Sequence, residues 1–443
     1  MRTLSKSILF LATCAFLAAH GVWAQNITVR IPKELTLEKA KRVALLGNPS
    51  VEVLLARIKV AEAVEGQSRV VYLPRLTGTA GAYWHENVSL GNGNDGHRAA
   101  YTAGLEVGWL LFDGFAGKFR MEAAKAGIDA STQEWQDGRR LLAQGVAATF
   151  LNCLLAVEAG RVEERNAAFN QSLLDEAQKR LDAGAGPRVD VLNFSVRTRE
   201  SENSLLGIRR QQRAARQALA ALLGLPTGKL PEGTQLVMPE IREESLPPKA
   251  DAAIEIAFSQ RPDLARYEAV VEQLALMVKA SRGAYSPKLT AVGKYDLARM
   301  DNARFNASQD ADALVGLALS WDILDWGLRK YSIAEAKANL LAMTAARNNR
   351  RVDIAAEVRR VLDTARTAAE QEAKQNEITD MNKQIREIVR KEYLSGISAL
   401  TRLNEVQTAL VTAEGRLAQM RILRVQAIEG FLSTIGQNLP VDE

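Results

Sequence analysis

Between Trp109 and Phe119 the chain reads WLLFDGFAGKF, and Gly114, Gly117 and Lys118 carry the ingredients of a phosphate cradle. A P-loop wraps phosphate oxygens with backbone N–H groups, which takes four residues between its glycines and a Ser or Thr after the lysine to hold Mg²⁺. Here the glycines are three apart and Phe119 follows the lysine, so no nucleotide site is expected and the segment needs another explanation. Other reactive side chains are sparse. His85 and His97 stand without a nearby cysteine and make a poor zinc site. The GNGNDG run from Gly91 lacks the terminal Glu of a calcium loop and reads as a turn cluster. Cys153, set among Leu151, Leu154 and Leu155, reads as a small buried hydrophobe. No Ser/His/Asp or Cys/His constellation is present, so neither an enzyme nor a cofactor is expected.

The N-terminus bears on where the chain works. Arg2 and Lys6 precede an apolar run from Ile8 to Ala19, then Val22-Trp23-Ala24, the layout of a secretory signal peptide over residues 1–24. A membrane anchor and a lipoprotein box at Leu11-Ala12-Thr13-Cys14 are the alternatives, but the apolar run is shorter than the roughly 20 residues a span needs. Without Arg2 and Lys6 the net charge falls from +5 to +3, too slight to argue for nucleic acid. No later stretch of 18 consecutive apolar residues occurs, so the exported chain is expected to lack a transmembrane helix.

An internal repeat organises what remains. Pro49 recurs as Pro262, Pro74 as Pro287 and Gly114 as Gly327, all at one constant spacing, while Leu225-Pro226 and Leu439-Pro440 close the two copies. The expected division is a first repeat over 25–225, a Pro-rich linker over 226–250 and a second repeat over 251–440. Proline, which breaks helices, is absent from Arg75 to Gly186 and from Lys288 to Leu439. The stretch Leu328–Ser395 holds neither Gly nor Pro and is rich in helix formers, which predicts a rod of roughly 100 Å. Its first-repeat counterpart, about 115–182, contains five glycines and is expected to bend or to be less stable. After the turn SGIS a returning helix places Leu403, Val406, Leu410, Ala413, Leu417 and Met420 at heptad spacing. Ile378, Met381, Ile385 and Ile388 show the same spacing on the outgoing helix and are expected to form the seam of an antiparallel coiled-coil hairpin.

Near the repeated prolines the period changes from helical to alternating. Tyr101, Ala103, Leu105, Val107, Trp109 and Leu111 share one face, as do Val315, Leu317, Leu319, Trp321 and Ile323. Two β-hairpins are therefore predicted, at about 75–112 and 288–324, with strands of the length that spans a membrane when tilted and polar loops between them. The fold expected is mainly α with a small β part. Four strands cannot close a barrel alone, and open edges cannot sit in lipid, so the hairpins would have to share one transmembrane barrel in a trimer. A soluble periplasmic coiled-coil adaptor or scaffold is the alternative, though it has no need of duplicated strands ending in Trp109 and Trp321.

Over about residues 35–440, the duplicated layout, the joints LFDG and LDWG and the turns AGPRVDVL and YLSGISALTRL resemble the TolC-like outer-membrane efflux proteins. The resemblance implies a homotrimer set in outer-membrane lipid, with a 12-stranded barrel and a helical periplasmic tunnel. It also implies a periplasmic adaptor protein and an inner-membrane transporter as partners, and work as the exit duct of a tripartite efflux or type I secretion system. Its strand-helix joints fall at Asp113-Gly114 and at Asp325 and Gly327. Its periplasmic gate maps onto Tyr393, three residues before the turn glycine Gly396, and onto Asp190 as the carboxylate of the closing network. For Asp190 an N-cap of the returning helix is the plainer alternative, and for Tyr393 simple packing between hairpins. Positions that are acidic in the family read here as Thr401 and Asn404, with Glu405 beside the second, and Arg402 is the nearest candidate for the arginine partner of Asp190. Losing the acidic ring implies an entrance less selective for cations.

Overall fold

A computed structural model describes residues 31–87, 96–239, 249–300 and 302–440, the side chains of 85–87 and 96–98 excepted. The expected signal peptide, both histidine side chains, nearly all of the GNGNDG run and much of the linker lie outside the described residues. Within them, each repeat runs through two short helices, a β-hairpin, a very long helix and a shorter returning helix. In the first repeat these are α1 (Leu37–Gly47), α2 (Pro49–Val70), β2 (Arg75–Asn87), β3 (Gly96–Phe112), α3 (Ala116–Asp182) and α4 (Arg188–Leu222). The second has α5 (Ala250–Gln260), α6 (Pro262–Arg282), β5 (Lys288–Met300), β6 (Ala311–Ser320), α7 (Leu328–Leu394) and α8 (Leu400–Thr434). The short β1 (Glu34–Leu35) and β4 (Gln235–Leu236) pair in parallel.

Both long helices have 67 residues and both returning helices have 35. At 1.5 Å per residue these are rods of about 100 and 50 Å. The glycines of α3 neither break nor shorten it; two of them admit neighbours instead. A Cβ on Gly138 would stand 2.2 Å from the tip of Leu54 and one on Gly160 2.5 Å from the amide of Gln212, so these side chains of α2 and α4 occupy the space an alanine methyl would take. An 18-residue window of α3 has a mean hydropathy of 1.6, apolar enough to cross a membrane by composition. In the fold its apolar side chains build a core: Val146, Ala147, Phe150, Leu151 and Leu154 pack with Leu37 and Val43 of α1, Leu219 of α4 and Ile422 of α8. Cys153 lies in the same core, 1 % exposed, and burial pushes its thiol up to about 11.

The four long strands form one antiparallel sheet in the order β2-β3-β5-β6, which leaves β2 and β6 as unpaired edges. β6 ends at Ser320, short of the predicted 324. Ser320 faces Lys288, the first residue of β5, and the preceding Pro287 has no N–H with which to extend the ladder. Another correction concerns the hairpin of α7 and α8. Leu403, Val406, Leu410, Ala413 and Leu417 are buried as expected, but Ile378, Met381, Ile385 and Ile388 are 42–58 % exposed. Thr379, Val389 and Tyr393 are the buried residues on this part of α7, and Thr379 donates to the carbonyl of Ala413. The isoleucine stripe is left uncovered because α7 meets α8 through the neighbouring face of Thr379, Val389 and Tyr393.

Where each repeat turns from its first to its second helix, a polar side chain just before the proline reaches the end of the returning helix. Asn48 donates to the carbonyl of Leu222 at 2.8 Å, and Arg261 donates to that of Thr434 at 3.0 Å. Arg261 is 2 % exposed, forms a two-pronged pair with Asp263 at 2.9 and 2.9 Å, and meets Glu357 at 3.0 Å. Arg350 adds a further contact to Asp263 at 2.7 Å. Burial alone would raise the Asp263 carboxyl, but the hydrogen bonds and charges of Arg261 and Arg350 outweigh it and hold it well below the usual carboxylate range.

Removing the carboxylate takes the two-pronged partner from the buried guanidinium of Arg261 and a contact from the partly exposed Arg350, so Asp263→Asn is expected to cost about 3 kcal/mol, read as a lower thermal midpoint. Because the folded carboxyl is depressed, its stabilisation is complete above the unfolded value of about 4 and drains away as the pH falls below it. Wild-type protein should lose thermal stability between about pH 4 and pH 2 more steeply than Asp263→Asn. Parallel acid profiles for the two proteins would contradict this assignment.

Candidate functional site

The residues singled out by sequence fall at two levels, the strand-to-helix joints and the helical tips. At the first joint the backbone takes positive φ at Gly114 (69°) and Phe115 (64°), and at the second at Trp326 (53°) and Gly327 (95°). The two joints therefore superpose with Asp113 on Asp325 and Trp109 on Trp321, a register one step shorter than the one that relates the prolines. Gly114 and Gly327 are not counterparts: glycine takes the first left-handed position in one joint and the second in the other. Each aspartate caps the helix that follows. Asp113, 5 % exposed, accepts from the N–H of Gly117 at 2.8 Å and from the hydroxyl of Tyr72 at 2.6 Å. Asp325 accepts from the N–H of Gly327 at 3.1 Å and of Arg329 at 2.9 Å, and the hydrogen bond from the Arg329 side chain is the main cause that lowers its carboxyl to about 2. The first joint thus directs the Gly117 N–H at a carboxylate of its own chain, where a P-loop would direct such groups at phosphate. The indole N–H groups of Trp109 and Trp321 donate to the carbonyls of Tyr72 and Tyr285, at 2.8 and 3.2 Å, anchoring the ends of β3 and β6.

At the tips, both long helices end in a glycine at positive φ, Gly184 (71°) and Gly396 (75°). The N–H of Ala185 reaches back to the carbonyl of Arg180 at 2.8 Å, and that of Ile397 to Glu392 at 2.9 Å, the six-to-one bond of a Schellman stop. Tyr393 and Asp190 meet there. The tyrosine hydroxyl donates to Asp190 Oδ2 at 2.8 Å, and its ring, 8 % exposed, stands edge to face with Phe194 at 6.2 Å. Burial first, and then the hydrogen bond and charge of Asp190, push the phenol above its ordinary value, so it stays a neutral donor. Asp190 is not an N-cap: Pro187 precedes the helix and Asp190 sits in its first turn.

Other tip residues arrange differently from expectation. Arg402 pairs with Glu405 at 3.3 Å, both well exposed, and does not reach Asp190. The cation beside the Tyr393–Asp190 hydrogen bond is Arg180 of α3, whose guanidinium lies over the Tyr393 ring at 5.6 Å and donates to the carbonyl of Leu394. Nothing in its spacing marks Arg180 out, because it sits among exposed charges in the last turn of α3. Asn404 donates to Asn193 at 3.3 Å, which ties α8 to α4 as Tyr393 ties α7 to it, while Thr401 is exposed. Leu173, Ala177, Phe194, Val389, Leu403 and Val406 form the apolar cluster beneath these ties.

Sheet, rods and tips together have the layout expected of an outer-membrane duct, a four-stranded sheet continued by long helices. A sequence model of the outer membrane efflux proteins matches residues 42–225 and 253–437, that is, both repeats. The chain belongs to this family, and it is an exit duct of the outer membrane whose helical part lies in the periplasm. It is similar to the pyoverdine export outer membrane protein OpmQ of Pseudomonas putida, 22 % identical over 72 % of this chain and 67 % of that one. OpmQ of Pseudomonas aeruginosa is 22 % identical over 90 % of this chain and 85 % of its own. Among solved structures, the CmeC outer membrane channel of Campylobacter jejuni shares the fold at a TM-score of 0.79 and 17 % identity, over 91 % of this chain and 86 % of that one.

The first joint is also tightly packed. A Cβ on Gly114 would stand 2.5 Å from that of Ser286 and 2.6 Å from the carbonyl oxygen of Gly283, whereas one on Gly184 would meet nothing within 4 Å. Both glycines have positive φ, so alanine at either is strained by about 1–2 kcal/mol, and overpacking adds about 1–3 kcal/mol at Gly114 alone. Thermal midpoints should fall further for Gly114→Ala than for Gly184→Ala; equal losses would show that the joint yields.

Proposed function

We propose that three copies of the chain close a 12-stranded barrel continued by a helical tunnel. The Tyr393–Asp190 latch holds the periplasmic tip shut. A periplasmic adaptor and an inner-membrane transporter engage this duct, and the transporter supplies the energy. The observation that carries the assembly is an asymmetry between the repeats. Surfaces of the first repeat that the second repeat covers have second-repeat counterparts that none of the described residues covers.

Three places illustrate it. On α3, Leu173 packs with Leu403 and Val406 of α8, and Asn166 accepts from Gln407. In the register of the joints, the same places on α7 are the exposed Ile385 and Ile378. At the first joint Gly283 and Ser286 cover Gly114 and Ala116, whereas Trp326 and Leu328 are 88 % and 69 % exposed. In the register of the prolines, the first-repeat counterparts of Gly283 and Ser286 are Val70 and Leu73, 55 % and 58 % exposed and free to cover the joint of a neighbour. In the sheet β3 pairs with β5, while their counterparts β6 and β2 are bare edges. Head-to-tail contacts of this kind generate a ring when the rotation closes. Two chains would give eight strands with room only for side chains, so three are the smallest ring with a lumen.

The same equivalence fixes a register. Leu105 faces Tyr295 between β3 and β5. Moved one repeat on, that pair becomes Leu317 of one protomer opposite Ala82 of the next. Both lie on the apolar face, and Val315 and Leu319 fall opposite Trp84 and Ala80. The gate reading is supported by the tie between two hairpins at their extreme ends, made by a buried tyrosine.

In outer-membrane fractions, Leu317→Cys/Ala82→Cys should oxidise to covalent trimers that resolve to monomers on reduction, while each single variant stays uncrosslinked. The native Cys153 is buried and does not interfere. Recovery of the chain as a soluble periplasmic monomer would overturn the duct assembly, and crosslinking that stops at dimers would overturn the ring of three.

A further inference from the structure

The sheet separates its charges by face and by height. Leu76, Leu105, Val107, Leu289, Leu317 and Leu319 lie on one face. The other carries Arg75, Glu106, Lys288, Lys294, Asp296 and Asp312. Arg299, at the outer end of the apolar face, is neutralised by Asp310 at 3.0 Å. Among the charged residues of that face whose side chains are described, the order from the joints outward is cation, neutral pair, anion. Arg75 and Lys288 open β2 and β5 beside the joints. Halfway up, Lys294 and Glu106 neutralise one another at 3.0 Å. Farther out, Asp296 stands directly opposite Asp312 in the register.

That last pair is unfavourable for stability, since like charges directly opposite in a sheet repel. No basic side chain among those described forms an ion pair with either. The fold nevertheless makes room for it: a Cβ on Gly104 would stand 2.2 Å from the Asp296 carboxylate, which lies over the bare glycine. At the other end, Asp322 lies two residues past Ser320, the register partner of Lys288, beyond the end of β6, and among the described residues it forms no ion pair with Lys288 or Arg75. Eight residues separate Lys288 from Asp296, roughly 26 Å along the strand and about 20 Å along a barrel axis at the usual tilt. That exceeds the Debye length of about 10 Å at 0.1 M salt, so the two ends act as separate zones.

We propose that the barrel lumen is an ionic rectifier, with a collar of Arg75 and Lys288 at its periplasmic base and a collar of Asp296 and Asp312 toward its outer end. This rests on the three-chain barrel, in which each collar holds six side chains. The basal collar passes anions and rejects cations; the outer collar does the reverse. With the outer side positive, cations are driven in through the carboxylates and anions in through the basal cations, and both accumulate between the collars. With the polarity reversed, the same segment is emptied. Passive leak of small ions of either sign therefore meets one opposing collar, and anionic solutes coming up the tunnel are gathered at the base of the barrel.

The test is the current–voltage curve of single trimers in planar bilayers at 0.1 M KCl, inserted loops first, in the wild type and in a Tyr393→Ala background that loosens the tip. The current with the outer side positive should exceed the reverse current by about 1.5-fold or more, and the asymmetry should vanish in 1 M KCl, where screening is about 3 Å. Arg75→Gln/Lys288→Gln and Asp296→Asn/Asp312→Asn should each reduce the asymmetry while trimers and conductance persist. A symmetric wild-type curve, or asymmetry unchanged in both double variants, overturns the rectifier and leaves the duct standing. Inserted trimers that conduct nothing in either background overturn the duct itself and the rectifier with it.

Discussion

A backbone group in lipid has no water to bond, so every strand that enters a bilayer must find a partner on both sides. This chain supplies four strands and leaves two edges bare. The other unusual features of the fold are consistent with that deficit. Duplication provides edges that are counterparts of strands already paired inside the chain, and it provides helix faces that match in the same way. The exposed stripe on α7 and the exposed Val70 and Leu73 would be liabilities in a monomer, because contiguous apolar surface invites association. Here they lie where the repeat has already shown a working contact.

Much of this architecture is legible from elementary rules. Proline exclusion locates both long helices to within a few residues, and alternation locates the strands, since each rule reflects a local backbone constraint. What fails is anything that depends on which surface an element meets. Ile378, Met381, Ile385 and Ile388 have the spacing of a seam, but periodicity says only that a stripe exists, not which helix covers it. Polar residues such as Thr379 form the intrachain contact because hydroxyls can bond within helices and across to Ala413. The glycines of α3 act at two ranges: their cost in helix propensity is local, while the space they leave for the side chains of Leu54 and Gln212 is tertiary.

The joints show how little sequence identity a shared geometry needs. Two consecutive left-handed residues turn a strand into a helix in both repeats, yet the glycine falls in different places, and Phe115 and Trp326 accept the strain that remains. An aligned glycine is thus a weaker guide than the aspartate that caps the turn. Asp113 and Asp325 each hold the N–H four residues on, a bond that exists only when the chain reverses at that point. The Asp is the physical device the two repeats share; the Gly is one of two ways to allow it.

The tip latch differs in kind from the ion pairs elsewhere in the chain. A carboxylate bonded to a neutral phenol contributes about 1.5–3 kcal/mol, and a cation over the ring about another 1 kcal/mol. Because burial and Asp190 raise the phenol above its ordinary range, the donor keeps its proton at every physiological pH. In the proposed ring of three, with these bonds broken on opening, the closed state would be favoured by on the order of 10 kcal/mol before any contact between chains is counted. A partner that opens the tip must then bind the open form more tightly by a comparable amount, because a ligand shifts a two-state equilibrium only through its differential affinity. Contacts spread over three tips can supply that difference; a single small ligand at one of them cannot, which favours a ring-shaped periplasmic partner over a diffusible effector as the opener.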